Sequence, residues 1–381
     1  MSDLIYLDNN ATTRVADEVV TTMTPFYREH YGNPHAIHSL GRRSHDAVEA
    51  ARADLAALLD CDASEVIFTS CGTEGNAIVI RGLIDRHPER RKVVSTTVEH
   101  PSVLTLLRAL ARAHVIELEL VPVDREGVID MQRMNDAIDD DTLLVSVMLA
   151  QNETGVLHPV ARIAELAHAS GALVHVDAVQ ATGKVPVSQR ELGADFLTIS
   201  GHKFHAPKGI GALTIRRGIA LQPLWYGGGQ ELGMRSGTEA VPSIVGFAAA
   251  ARAAVAALPH YDRVRALRDR LETEIRARVD DTSVNGATQP RLGNTASIAF
   301  HDSRADEIVR ALDAEGICVS AGAACHSGSV EPSSTMKAMG KPLREAMGVV
   351  RFSLSRYTTS EEIDRTVAVV SDVVQRANTA R

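Results

Sequence analysis

The sequence predicts an α/β protein: a large, mostly parallel sheet covered by helices, followed by a smaller α+β domain. Two observations carry that expectation. Between about residues 45 and 220, short β-rich runs alternate with helical segments, the pattern of a parallel sheet covered on both faces. From about residue 255 onward, long charged amphipathic helices take over, with only short strand candidates between them.

Taken in order, Val66-Ile67-Phe68 reads as a strand running into a helix from Thr73 to about Leu83. A strand from Lys92 to Ser95 precedes a helix from Ser102 to about Arg112. Val115 to Val121 is strand-like and Met131 to Ile138 helical; Thr142 to Met148 is a β-rich run ending before the turn Asn152-Glu153-Thr154-Gly155. A helix from Val160 to Ala169 leads to the strand Ala172 to Val176, and Phe196 to Ile199 is another. In the last third, Tyr261–Val279, Ala305–Glu315 and Ser360–Ala377 read as helices, with strands at Thr295–Phe300 and Val349–Leu354.

Bulk properties narrow the class. With 45% hydrophobic and 23% charged residues over 381 positions, the chain is an ordinary globular composition. A net charge of −8 and 4% aromatic content give no reason to expect nucleic acid or an anionic membrane as partner. No run approaches the ~20 uninterrupted apolar residues of a membrane span, and the N-terminus lacks the basic start and apolar core of a signal peptide. Four cysteines, Cys61, Cys71, Cys318 and Cys325, form neither a disulfide framework nor a Cys-x-x-Cys zinc pair. Free thiols in the cytoplasm are the expected state.

Candidate functional residues recur at the carboxyl ends of the predicted strands, where open α/β sheets bind ligands. Lys203, in Ser200-Gly201-His202-Lys203, follows the strand ending at Ile199. A lysine against an apolar sheet end can lose its proton and become a Schiff-base nucleophile. Asp177 ends the neighbouring strand. A lysine for an aldehyde and an aspartate for a pyridinium nitrogen are what pyridoxal phosphate requires. The turn Thr69 to Glu74 joins a strand to a helix N-terminus with free backbone N–H groups suited to a phosphate, although an ordinary N-cap box is the better account of that turn taken alone. His100 is placed to stack on a ring or shuttle a proton, Asn152 and Gln180 to reach a ring oxygen or substrate, and Ser200 and His202 to add phosphate donors.

Further on, residues 321–329 (Ala-Gly-Ala-Ala-Cys-His-Ser-Gly-Ser) are too small to pack and read as a mobile loop presenting Cys325. Cys318 reads as a buried apolar filler, and Cys61 and Cys71 as structural. Arg351 is a candidate carboxylate clamp. The glycine-punctuated stretch from Gly227 to Glu239 could close over phosphate, cross to another subunit or simply connect.

Several of these motifs, in this order, resemble the NifS/IscS family of cysteine desulfurases. They are Glu99-His100, Asn152-Glu153-Thr154-Gly155-Val156, His175-Val176-Asp177-Ala178-Val179-Gln180, Ser200-Gly201-His202-Lys203 and Arg235-Ser236-Gly237-Thr238. The likeness runs from Tyr6-Leu7-Asp8-Asn9-Asn10 to Arg351-Phe352-Ser353-Leu354. It implies the aspartate-aminotransferase-like fold type I, with a seven-stranded-type sheet. Residues 14–255 are then the pyridoxal-phosphate-binding domain, and residues 1–13 and 256–381 the small domain with the cysteine loop.

By the same resemblance, Lys203 binds the cofactor and moves the proton, Asp177 pairs with the pyridinium nitrogen and His100 stacks on the ring. Gln180 and Asn152 contact the ring oxygen or substrate. Gly72, Thr73, Ser200 and His202 hold the phosphate, with Thr238 supplied by the other subunit of a homodimer. Arg351 binds the carboxylate of the L-cysteine substrate. Cys325 takes up its sulfur as a persulfide for an iron–sulfur scaffold protein or another acceptor, and could transiently ligate a partner-held iron–sulfur cluster; no intrinsic metal is expected. Two departures stand out. Gly75 replaces a frequent serine and is expected to loosen the helix start. Ala324-Cys325-His326-Ser327 also resembles selenocysteine lyases, which leaves release of selenium from L-selenocysteine as the alternative activity.

Overall fold

In the computed structural model, residues 4–321, 323–326 and 329–379 are described; the side chains of 323–326, 329–330 and 377–379 are not. The chain begins with β1 (Ile5–Tyr6) and the helices α1 (Asp17–Met23), α2 (Pro25–Arg28) and α3 (Ser39–Leu59). The large sheet follows: β2 (Val66–Thr69), α4 (Gly72–Arg86), β3 (Lys92–Thr96), α5 (Pro101–Arg112), β4 (Glu117–Val121), α6 (Met131–Ala137), β5 (Thr142–Met148), α7 (Val160–Ala169), β6 (Leu173–Asp177), β7 (Phe196–Ser200) and β8 (Gly211–Ile215).

These strands form a seven-stranded sheet in the order β2-β8-β7-β6-β5-β3-β4. β8 runs antiparallel to both β2 and β7, whereas the pairs from β7 through to β4 are parallel. Every residue of β5 and β7 is buried, which explains their near-continuous apolar runs: helices cover both faces of a parallel sheet. The helix α8 (Val241–Ala257) packs on α1 and α3. Together with the helix that follows it, α8 is long and apolar enough to pass for a membrane span, yet half of that apolar window is buried inside the molecule.

The remaining chain builds a second sheet. α9 (Tyr261–Arg278), β9 (Thr282–Val284), β10 (Thr295–Phe300), α10 (Ala305–Ala314), β11 (Ile317–Cys318), β12 (Ser320–Ala321), β13 (Ala323–His326), β14 (Ser329–Pro332), α11 (Ser334–Ala338), α12 (Leu343–Ala346), β15 (Val349–Ser353) and α13 (Ser360–Thr379) follow in order. The sheet order is β12-β15-β10-β9, all antiparallel. Its own apolar cluster includes Val264, Leu271, Ile298, Ile308, Phe352 and Val367. The N-terminal segment joins this part of the molecule, β1 pairing with β11 and Asp8 bridging to Ser353.

Two expectations change. The stretch around Cys325 is not a loop: β13 pairs antiparallel with β14, placing Cys325 opposite Val330. Small residues that cannot fill a core can still satisfy their backbone groups on each other, and a hairpin does so. Cys318 is only partly buried rather than enclosed, because β11 pairs with β1 in a two-stranded sheet.

Gly75 also has a structural reason. It is buried, and a Cβ there would lie 2.8 Å from Thr198 Cγ2 and 3.2 Å from Thr198 Oγ1. The glycine lets α4 approach β7 closely. A Gly75→Ser substitution should therefore destabilise the protein, by about 1–3 kcal/mol as expected for overpacking, measured by urea unfolding. Adding Thr198→Ser, which removes the clashing methyl, should restore most of that loss.

Candidate active site

The carboxyl ends of β5, β6 and β7 and the N-termini of α4 and α5 enclose a cavity of about 260 Å³. Its lining includes Gly72, Thr73, His100, Asn152, Asp177, Gln180, Ser200, His202 and Lys203. Arg351 and Thr238 are not among the lining residues. Thr238 is exposed elsewhere, and the side chain of Cys325 lies outside the described residues.

Lys203 sits on a single 3-10 turn, Gly201–Lys203, at the end of β7. The turn is tight because Gly201 leaves room for Ala206, Ile210 and Phe247; a Cβ would come within 3.0 Å of each. Lys203 Nζ donates to the carbonyls of Asn10, at 2.6 Å, and Ala11, at 2.9 Å. Burial pushes its ammonium down to about 8, helped by the Arg351 cation and opposed by Asp177 and Asp8. Two residues on, His205 has φ of 73°, an unusual left-handed conformation for a non-glycine residue. Its N–H donates to Thr13 Oγ1 at 2.8 Å and its ring packs edge-on against Tyr357.

Asp177, the last residue of β6, is buried and held from both sides. Val179 N–H donates to Oδ1 at 3.0 Å, and Asn76 Nδ2 donates to Oδ2 at 2.8 Å. Asn76 lies on α4 four residues after Gly72, hence on the same helix face. Sequence reasoning missed it, although a lone amide within an apolar helix stretch at that spacing was a readable signal. On the same strand, two residues earlier, His175 bonds Ser146 Oγ at 2.9 Å and Thr198 Oγ1 at 3.0 Å. Full burial holds it near 4, so this ring is neutral and props the sheet end from beneath.

His100 caps α5, its Nδ1 accepting the Ser102 N–H at 3.1 Å. That contact places the proton of the neutral ring on Nε2. Desolvation lowers its basicity, Asp177 opposes this and Lys203 adds to it. His202 is held near 4 by desolvation together with Lys203, Lys208 and Lys184, and its Nδ1 lies 3.2 Å from Thr12 Oγ1. Beside His100, the buried Glu99 is pushed up to about 8 by desolvation. It receives Thr96 Oγ1 at 2.7 Å, and its second oxygen has no partner.

Gln180 is buried; its Nε2 donates to Asn10 O at 2.9 Å and its Oε1 accepts from Lys184 Nζ at 2.8 Å. Arg351, in the middle of β15, is buried and donates to Asp8 Oδ1 at 2.8 Å and to the Asn152 carbonyl at 3.0 Å. Its Nε has no partner. It is therefore one peptide group away from the cavity rather than on its wall.

The residues present fit pyridoxal phosphate. Ser200 Oγ is buried, unpartnered and on the wall. Cys71, the N-cap of α4, makes no side-chain cap, so the first N–H groups of a fifteen-residue helix remain open to an anion. Asp177 lines the same cavity.

The lowered basicity of Lys203 is measurable in the apoprotein. An amine reagent such as trinitrobenzenesulfonate modifies only neutral amines, and an ordinary lysine near 10.4 is less than about 1% neutral at pH 8. Peptide mapping should show Lys203 labelling at half its maximal rate near pH 8. Arg351→Met, which removes the neighbouring cation, should move that midpoint upward.

Comparisons with known proteins agree with this geometry. The model of the class-V aminotransferases matches residues 5–366. A cysteine desulfurase of Cereibacter sphaeroides is 47% identical over 98% of this chain and 96% of its own length. The cysteine desulfurase NifS of Azotobacter vinelandii is 46% identical over 97% of this chain and 92% of its own. Among solved structures, one described as a NifS-like protein superposes with a TM-score of 0.92 at 36% identity, covering 98% of this chain and 99% of that one. With a full-length match of this kind and a lysine–aspartate cavity at the sheet edge, the chain belongs to the class-V aminotransferase family of pyridoxal-phosphate enzymes.

Proposed function

We propose that this enzyme is a cysteine desulfurase, converting L-cysteine to L-alanine and leaving the sulfur as a persulfide on Cys325. The observation that carries the reading is the cavity in which a lysine of lowered basicity faces Asp177, with a buried arginine one peptide group away. The relatives named cysteine desulfurases support the substrate.

Bound pyridoxal phosphate supplies an electron sink for bonds at the substrate Cα and Cβ. The chain supplies the rest. Asp177, oriented by Asn76 and Val179, would accept the ring N–H of the cofactor and so support that sink. Ser200 Oγ and the N-terminus of α4 take the phosphate. Lys203 Nζ, neutral for part of the time at physiological pH, moves a proton to and from the substrate carbon. Arg351, behind the Asn152 peptide and with an unpartnered Nε, would answer the substrate carboxylate.

The Cys325 thiolate attacks the substrate sulfur. The carbon–sulfur bond breaks, its electron pair passes to the carbon side, and proton return there yields alanine. The segment that carries Cys325 leaves β12 where Ser320 pairs with Arg351, which supports its reach to that carboxylate site. Glu153 and Gln151 hold the other end of the segment through Thr335, at 2.6 and 3.0 Å.

The persulfide then passes to an iron–sulfur scaffold protein or another acceptor. A homodimer is supported by the exposed large side chains of Tyr27, Tyr31, Ile37, Trp225, Tyr226 and Leu232. The exposed Thr238 continues the same stretch of chain, supporting its role in the partner's phosphate site. A cytoplasmic setting is supported by the free thiols Cys61, Cys71 and Cys318.

The purified holoenzyme should be yellow and should release alanine from cysteine. Cys325→Ala should lower desulfuration at least about a thousandfold while the cofactor stays bound; retained turnover would remove Cys325 as the nucleophile. Measuring alanine release from cysteine and selenocysteine at equal concentration separates a desulfurase from a selenocysteine lyase.

A further inference from the structure

Lys184 is buried to 5% exposure and has no carboxylate among its hydrogen-bond partners. Its Nζ donates to Gln180 Oε1 at 2.8 Å and to Asn10 Oδ1 at 3.2 Å. Burying an amine opposite neutral acceptors is costly, and the nearby charges of Lys203 and Arg351 add to that cost, so its basicity falls well below that of a free lysine. The chain nevertheless builds a specific turn to put it there. Ala181 N–H bonds Ala178 O at 3.1 Å and Lys184 N–H bonds Ala181 O at 3.0 Å. Between them Gly183 takes φ of 76°, where a Cβ would meet Phe204 at 2.7 Å. The result brings Lys184 back beneath Gln180.

A glutamine side chain has two ends, and which end faces a ligand decides what it can bind. The backbone carbonyl of Asn10 can only accept, so it takes Gln180 Nε2, at 2.9 Å. The Lys184 amine takes Oε1. With Oε1 turned to Lys184 and one N–H used on Asn10, the second N–H is the donor Gln180 has free for the cavity it lines. We propose that Lys184 is a positioning residue: it locks the Gln180 amide so that the cavity meets an N–H donor and never a carbonyl. The matching ligand group is an oxyanion, such as the phenolic oxygen of pyridoxal phosphate, and the inference rests on that cofactor reading but not on the substrate or on Cys325.

The readout is the rate at which cofactor is lost from the holoenzyme, followed by its visible absorbance without cysteine present. Lys184→Met keeps the stem and removes the amine, and should speed cofactor loss about tenfold. Gln180→Leu should do the same. If Lys184 acts through Gln180, the double variant loses cofactor no faster than the faster single variant. Multiplying effects, or unchanged retention in Lys184→Met, would overturn the assignment. Gln180→Glu guards against a folding defect, because it gives Lys184 a carboxylate partner while abolishing the N–H donor. It too should lose cofactor about tenfold faster, and retention equal to the parent would count against a donor role. Cofactor retention is read before any substrate is added, so it stands or falls separately from desulfurase activity.

Discussion

One residue ties the two sheets to one another at the site: Asn10. Its backbone carbonyl accepts from Lys203 and Gln180, and its side-chain oxygen accepts from Lys184 and from Asn294 at 3.0 Å. Its Nδ2 donates to Thr295 Oγ1 at 2.9 Å and to the Asn152 carbonyl at 3.3 Å, and its own N–H is taken by Ser353 Oγ. Asn10 is 1% exposed, so each of these groups would otherwise be stranded without water. The N-terminal strand therefore works as a seam. It pairs with β11 on one side and delivers Asn10 to the edge of the large sheet on the other. A change in the seat of Asn10 would reach the reactive lysine, Gln180 and the β10 and β15 edge together.

The electrostatics of the cavity follow from that seam. Lys203, Lys184 and Arg351 converge on a buried region, and the chain answers them mainly with backbone carbonyls and amides. Dipoles satisfy hydrogen bonds without cancelling charge. The basic groups therefore lose protons more easily, as Lys203 and Lys184 do. The acidic Glu99 moves the opposite way, up to about 8, for the same reason of burial. Lys203 and Glu99 are thus both drawn toward neutrality near physiological pH, the condition in which a proton can be passed in either direction. Donors from Asn76 and Val179 hold both oxygens of Asp177.

The parallel core was legible because strands buried on both faces carry near-continuous apolar runs, as in Thr142–Met148, where only Ser146 breaks the Leu and Val residues. Three elements were not. α8 is alanine-rich and buried around much of its surface, so it has no one-sided periodicity to read. In α3 a buried Arg52 interrupts the apolar stripe, because it pairs with Glu231 at 2.8 Å rather than with water. β8 has five residues including a glycine, and only its place between β2 and β7 makes it a strand. Within the site, Lys203, Asp177 and Gln180 stood out as polar residues at apolar strand ends. Lys184 carries the same signal, a lone charge between Ala178 and Val187, and was passed over because the turn that folds it back depends on Gly183.

The placement of Cys325 follows from how the ends of its segment are held, not from its own surroundings. On one side β12 pairs with β15 so that Ser320 lies opposite Arg351. On the other, Thr335 in α11 bonds both Glu153 and Gln151. Those residues flank Asn152, whose carbonyl takes the Arg351 guanidinium. The two ends are thus referenced to one arginine and one turn. Within the hairpin Cys325 lies opposite Val330, one register pair from the His326–Ser329 end. That shared reference requires the asparagine turn after β5 to be rigid, and Gln151 supplies the rigidity: its Oε1 accepts the N–H groups of both Glu153, at 2.6 Å, and Thr154, at 2.8 Å.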